Sequence, residues 1–266
     1  MPGLQDPSRA APPPPASARN LLAHPMEDTL TMKLLGATLK GAAAALAAAA
    51  LFAASPGTAS AATTEVVNHT NAGAGSKTFA LTIDDGPSPT WTNQVLDLLK
   101  DRQVTATFCV IGDHARQYPD LVKRIVAEGH HLCNHSMHHV NPTRQSPDQA
   151  RADLQQASDA IHAAAPGAQI DYYRAPEGGW TPDIQQYAAS QGMQPIGWSV
   201  DTRDWETPGV DAIFQNYKRE FQGGGVILMH DGSQENDRSQ SVEAMGNILS
   251  DLADNGYTDD LPAVLG

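Results

Sequence analysis

Two adjacent carboxylates, Asp84 and Asp85, stand where an apolar run gives out. Phe79, Leu81 and Ile83 alternate with small residues ahead of them, and Gly86-Pro87 breaks the backbone pattern directly after. The alternation predicts a short buried strand over 79–83 with a turn beyond it. Neighbouring side chains on a strand point to opposite faces, so both acids can serve one site only where the chain turns. Carboxylates this close repel unless a cation or a proton intervenes, which points to a metal site with one acid left free. A plain polar turn is the competing reading, and Asp-Asp-Gly taken alone favours it.

Four further groups of residues could do related chemistry. His135 and His139 are four apart, and on a helical turn they would share a face and bind one metal; two solvated histidines would have the same spacing. His138 points elsewhere on such a turn, and His130 and His131 fall on the preceding strand, where structural or supporting roles are expected. Arg174 precedes a proline-glycine turn and could hold a carboxylate such as Asp84. Asp204-Trp205 combines an orienting carboxylate with an apolar wall suited to a sugar ring or a methyl group. His230 emerges from the apolar run Val226 to Met229, the setting of a candidate acid or base or of a satisfied core histidine.

The elements that must position these residues alternate regularly. Strands are expected at 79–83, 105–110, 131–134, 171–174, 194–199 and 225–229, and helices near 91–101, 118–128, 147–164, 182–191, 210–221 and 240–253. Ser146-Pro147-Asp148-Gln149 and Thr181-Pro182-Asp183 mark two helix starts, each with a capping hydroxyl and proline at the first position. Strict β–α alternation implies a mostly parallel sheet, as a barrel or doubly wound, with the chemistry at the carboxyl ends of the strands. Every polar group named above follows a strand. That clustering outweighs the plain reading of each.

Composition narrows the function classes. A formal net charge of −13 over 266 residues argues against a nucleic-acid partner. The two cysteines, Cys109 and Cys133, form no Cys-x-x-Cys motif, which excludes a zinc ribbon or thioredoxin-like centre. Residues 1–31, with prolines 12–15, read as a disordered leader or an upstream mis-start. Residues 32–61 read as a signal peptide: Lys33 and Lys40, an apolar stretch from Gly41 to Ala54, then Ala59-Ser60-Ala61 for cleavage near Ala61. The apolar stretch is short of the ~20 residues a membrane span needs. Residues 62–77 read as a flexible lead-in to a catalytic domain over 78–264. A secreted, monomeric protein with no membrane partner after cleavage is therefore expected.

In order, Thr-Ile-Asp-Asp-Gly (82–86), His-Ser-x-x-His (135–139), Arg-x-Pro-x-Gly (174–178), Asp-Trp (204–205) and Leu-x-His (228–230) resemble the five motifs of the polysaccharide deacetylase family, carbohydrate esterase family four. The resemblance spans residues 78–262. It implies an α/β fold, a distorted (β/α) barrel with fewer than eight complete units, and metal-dependent removal of acetyl groups from glycans. Carried over by motif, it implies Asp84 as catalytic base, Asp85, His135 and His139 as ligands of a divalent metal (zinc first, cobalt or another divalent ion otherwise), and Arg174 as the partner of Asp84. It also implies His230 as general acid tuned by Asp204, the Glu177 backbone N–H as oxyanion donor, and Trp205 and Leu228 as walls of the acetyl pocket. The family often has tyrosine where Glu177 stands. An acetylated N-acetylglucosamine glycan, chitin-like or peptidoglycan, is the expected substrate; an acetylxylan esterase or a non-catalytic carbohydrate- or metal-binding protein are the alternatives. Cys109 and Cys133 lie on successive strands, and in an exported chain a disulfide between them is expected.

Overall fold

The computed structural model describes residues 62–232 and 237–265. The leader and signal-peptide expectations therefore fall outside the described residues. The chain builds one parallel sheet centred on β1 (Thr78–Asp84). To one side lie β2 (Ala106–Val110), β3 (His131–Asn134), β4 (Ile170–Tyr173) and β5 (Gln194–Pro195); to the other lie β7 (Gly225–His230) and then β6 (Val200–Asp201). A short β8 (Thr258–Asp259) pairs with the start of β1. The helices are α1 (Trp91–Arg102), α2 (Gly112–Gln117), α3 (Pro119–Ala127), α4 (Pro147–Ala164), α5 (Pro182–Ser190), α6 (Val210–Glu220) and α7 (Ser239–Asp254).

The two-residue period of the strands sorts their side chains. Phe79, Leu81 and Ile83 of β1, with Ile227 and Met229 of β7, join Leu96 and Leu99 of α1 and Met245, Ile248 and Leu252 of α7 in the main core. The opposite face turns inward: Cys109, Cys133, Tyr172 and Ile196 form a separate buried cluster. Cys109 and Cys133 face each other across the β2–β3 ladder and are joined as a disulfide.

The sheet curls into a barrel, and chain length shows why it must. The two edge strands, β5 and β6, are joined by residues 196–199 alone. That link reaches roughly 18 Å at full extension, whereas the edges of a flat seven-strand sheet would stand roughly 29 Å apart. No ladder joins β5 to β6 among the described residues, so closure is incomplete. This is the distorted barrel the resemblance implies, in a single domain.

Residues 62–77 correct the expectation of a flexible lead-in. Val67 bridges Ile196 and His69 bridges Gly225, so this segment lies against both sides of the incomplete closure. Val67 N–H donates to Pro195 O at 3.0 Å, Gly197 N–H to Val67 O at 2.7 Å, and Val226 N–H to Asn68 O at 3.2 Å. Val67 and Thr70 are buried. An open barrel leaves strand-edge donors and acceptors unpaired, and these residues satisfy them. Gly73, Gly75 and Ser76 near its end hid that role. Among the described residues, no helix is long and apolar enough to cross a membrane.

Candidate active site

Asp84 is the last residue of β1, and Asp85 follows with φ +74°, a left-handed turn that swings the second carboxylate toward the first one's site. The turn is anchored on three sides. Asp231 N–H donates to Asp84 O at 3.1 Å, Ile111 N–H to Gly86 O at 3.0 Å, and His114 Nδ1 to Asp85 O at 2.7 Å. Gly232 lies so close that a Cβ there would overlap the Cβ and backbone of Asp85.

His135 and His139 meet without the helical turn that their spacing suggested. Residues 135–140 form a loop in which Ser136 (φ 65°) and His139 (φ 55°) are left-handed. His139 N–H donates to Ser136 Oγ at 3.0 Å, and Ser136 N–H to Asn134 Oδ1 at 2.8 Å. The rings pack edge to face with centroids 5.0 Å apart. His138 turns away to Asp113. His130 accepts from Ala106 N–H and His131 pairs with Asp171, both away from the cleft.

Asp85, His135 and His139 offer three ligand atoms within 4.8 Å of one another. Asp85 Oδ1 lies 3.4 Å from His135 Nε2 and 3.3 Å from His139 Nε2, and it is buried with no hydrogen-bond partner among the described residues. His135 Nδ1 donates to Arg174 O at 2.9 Å, which leaves the Nε2 lone pair facing the cluster. An orphaned buried carboxylate oxygen beside two imidazoles, one fixed in the ligating tautomer, fits a divalent cation. Burial alone would raise the Asp85 carboxyl, but His135 beside it, with the charges of His230 and His139, holds it well below the usual carboxylate range.

Asp84 is held separately. Arg174, fully buried, donates from Nη1 to Asp84 Oδ1 at 2.7 Å, from Nη2 to Gly197 O at 2.7 Å and from Nε to Ile196 O at 3.4 Å. Each nitrogen of the fork thus has an acceptor, the condition under which a buried guanidinium is tolerated. His230 Nδ1 lies 2.7 Å from Asp204 Oδ1, and its N–H donates to Asp204 Oδ2 at 3.0 Å. Burial disfavours the imidazolium, but the Asp204 charge and hydrogen bond overcome this and push His230 up to about 9. With Nδ1 committed to Asp204, Nε2 is the atom free to handle a proton.

Asp84, Asp85, His135, His139, Glu177, Trp205, Leu228 and His230 line one cleft of about 650 Å³. That volume suits a ligand of a few rings. Trp205 is 47% exposed, with its indole available at the rim. Trp198 and Arg238 escaped sequence reasoning, and Asp231 stood out only as part of the polar group His230-Asp231-Gly232 after a strand, with no role assigned. Trp198 faces the Arg174 guanidinium across 5.7 Å. Arg238, buried, donates to Gly232 O and Asp204 O. Asp231 is buried behind the Asp85 turn, accepts from Thr92 Oγ1 at 2.6 Å, and is pushed up by burial to about 7. Neither Trp198 nor Arg238 has a sequence neighbour that would have flagged it. Asp231 adjoins His230, and that adjacency was the available signal.

A family model described as polysaccharide deacetylase matches residues 71–196. A chitooligosaccharide deacetylase of Sinorhizobium fredii (strain NBRC 101917 / NGR234) is 37% identical over 194 residues, covering 70% of this chain and 90% of that protein. A peptidoglycan-N-acetylglucosamine deacetylase of Bacillus cereus is 37% identical over 183 residues, covering 68% of this chain and 84% of that one. The solved structure of a peptidoglycan N-acetylglucosamine deacetylase superposes with a TM-score of 0.69 at 30% identity, over 75% of this chain and 91% of that chain. Likeness of this extent reaches well beyond the five motifs, and the chain belongs to the polysaccharide deacetylase family, as a hydrolase of carbon–nitrogen bonds other than peptide bonds.

Proposed function

We propose that this chain is an exported, metal-dependent deacetylase that removes N-acetyl groups from N-acetylglucosamine-containing glycans, chitooligosaccharide or peptidoglycan. One observation carries the reading: a cluster suited to a cation lies in the same cleft as two differently held proton-handling groups, Asp84 on Arg174 and His230 on Asp204. Both named relatives act on N-acetylglucosamine glycans or their oligomers, which favours amide over ester hydrolysis.

Asp85, His135 and His139 would hold the cation, and one carboxylate with two imidazoles suits zinc. When bound, such an ion supplies Lewis-acid polarisation of the acyl carbonyl and acidifies water. Asp84, oriented by Arg174, accepts the proton of the water whose oxygen attacks the acetyl carbon. The Glu177 N–H donates to the oxygen on which negative charge develops; losing one such donor typically costs ~3 kcal/mol of barrier. The carbon–nitrogen bond then breaks. An amine departs poorly as an anion, so His230 delivers a proton to the nitrogen, and acetate and the free amino sugar result. Trp205 and Leu228 would wall the acetyl methyl group. Export rests on residues 32–61 as a signal peptide cut near Ala61, and the mature chain is taken as a monomer.

The test is acetate release from N-acetylchitooligosaccharide, from peptidoglycan and from acetylated xylan, before and after chelation and with zinc restored. Activity on the first or second that is lost and then restored, and that falls about a thousandfold in Asp84→Asn, is expected. Release from xylan alone would replace the amide with an ester. Full activity in Asp84→Asn would overturn the mechanism.

A further inference from the structure

Glu177 sits at the lip of the cleft with φ 56° and ψ 18°, left-handed for a residue that carries a side chain. Such backbone persists only where its surroundings impose it. Its carboxylate is held by three donors: Arg144 Nη1 to Oε1 at 3.2 Å, Arg144 Nη2 to Oε2 at 2.9 Å, and Asn141 Nδ2 to Oε2 at 3.1 Å. The Asn141 hydrogen bond first, and the Arg144 charge after it, keep this carboxyl below its ordinary range. Asn141 is itself fixed. Its Oδ1 accepts from Thr143 N–H at 2.9 Å and Thr143 Oγ1 at 2.7 Å, capping a 3-10 turn over Pro142–Arg144. Its amide also lies so close to Gly179 that a Cβ there would overlap it.

Asn141 and Arg144 belong to the segment directly after His139, so the Glu177 carboxylate ties the lip turn to the loop carrying one end of the metal cluster. The arginine–glutamate pair is exposed, at 67% and 43%. Exposed pairs contribute little to global stability. That is too little to matter to the fold and comparable to the strain of one left-handed residue. The value of the clamp is therefore local.

We propose that Arg144 and Asn141 are positioning residues for deacetylation: through the Glu177 carboxylate they hold the Glu177 backbone N–H at the cleft and lock the lip to the His139 loop. The proposal rests on the deacetylase reading for its kinetic arm. It also explains how a charged residue can stand where the family often has tyrosine, because here the side chain faces its anchors and only the backbone serves the reaction.

The test compares zinc-loaded wild type with Arg144→Ala, Arg144→Lys, Glu177→Ala and the Arg144→Ala/Glu177→Ala pair on N-acetylchitooligosaccharide. Arg144→Ala should lower kcat about tenfold, with KM unchanged within about twofold. Arg144→Lys should recover part of the loss, and the double variant should be no worse than the poorer single one. Tm should stay within about 3 °C of wild type. Amide exchange over residues 175–180 should quicken in Arg144→Ala and not elsewhere. Wild-type kcat in Arg144→Ala, a loss confined to KM, or additive losses in the double variant would overturn the proposal. If wild type released no acetate, the deacetylase reading would fail instead, and the clamp would still be judged by exchange: unchanged protection over 175–180 in Arg144→Ala sinks it.

Discussion

Asp204 and Asp85 are both acidic groups at strand ends, yet they are partnered in opposite ways. Asp204 is saturated: it accepts from the His230 ring and backbone and from Thr202 Oγ1. Asp85 keeps an oxygen without a hydrogen-bond partner among the described residues. A saturated carboxylate tunes its neighbour, whereas an unsatisfied one is available to a ligand. The first statement has a pH signature. His230 is raised from 6.5 to about 9, so the favourable charge interaction is complete below pH 6.5 and is given up as pH climbs through 9. As the proton donor in the proposed reaction, His230 should set the alkaline limb of kcat/KM at or somewhat below pH 9, since a bound cation disfavours the imidazolium. Asp204→Asn removes the charge and should move that limb at least about one unit toward acid. A pH profile of the variant whose limb coincides with wild type would exclude this role. These residues stood out in the sequence because each belongs to a short polar motif that follows an apolar run. The conformations did not: four-residue spacing suggested a helical turn for His135 and His139, but two left-handed residues and the Asn134 and Ser136 side chains make the loop instead.

Element boundaries were most legible where local chemistry defines them. Ser146 and Gln149 cap each other across the first turn of α4, and Pro147 occupies a position whose N–H needs no helical partner, so the helix start could be read directly. α2 was missed, because Gly112–Gln117 is short and lacks an apolar stripe. Of the stretch expected as one strand over 194–199, only Gln194–Pro195 forms a strand, β5, because residues 196–199 cross the incomplete closure of the barrel to β6 beyond it, a constraint of the whole sheet that no local pattern records. Between β2 and β3, the disulfide joins residues in direct register, and Cys109 is also the register partner of Asp84. The bridge therefore ties the strand that precedes His135 to the strand beside the one that carries Asp84. With a sequence separation of 24, its removal should cost about 3 kcal/mol on the chain-entropy account. Urea unfolding of the Cys109→Ser/Cys133→Ser pair against oxidised wild type measures this; equal midpoints at equal slope would show that the bridge adds nothing.

At the scale of the whole molecule, the incomplete barrel makes activity depend on residues far from the cleft. Val67 exchanges backbone hydrogen bonds with Pro195 and Gly197. Gly197 O and Ile196 O are two of the acceptors of Arg174, and the third is Asp84. The N-terminal segment therefore fixes the link that orients the arginine that orients the carboxylate. Without it, Val67 no longer fills the inner cluster, the 195–197 link loses its partners, and Arg174 keeps its ion pair only at the cost of two wandering carbonyls. A chain beginning at residue 62 should fold and retain full activity. One beginning at residue 78 loses the burial of Val67, worth about 2 kcal/mol, together with several edge hydrogen bonds at about 1 kcal/mol each, and should unfold at markedly lower urea. Where it remains folded, in dilute buffer at low temperature, its kcat should fall further than its fraction folded. That excess loss separates misplacement of Arg174 from simple instability. If kcat per folded molecule matched the longer chain, the route from Val67 to Asp84 would be structural only.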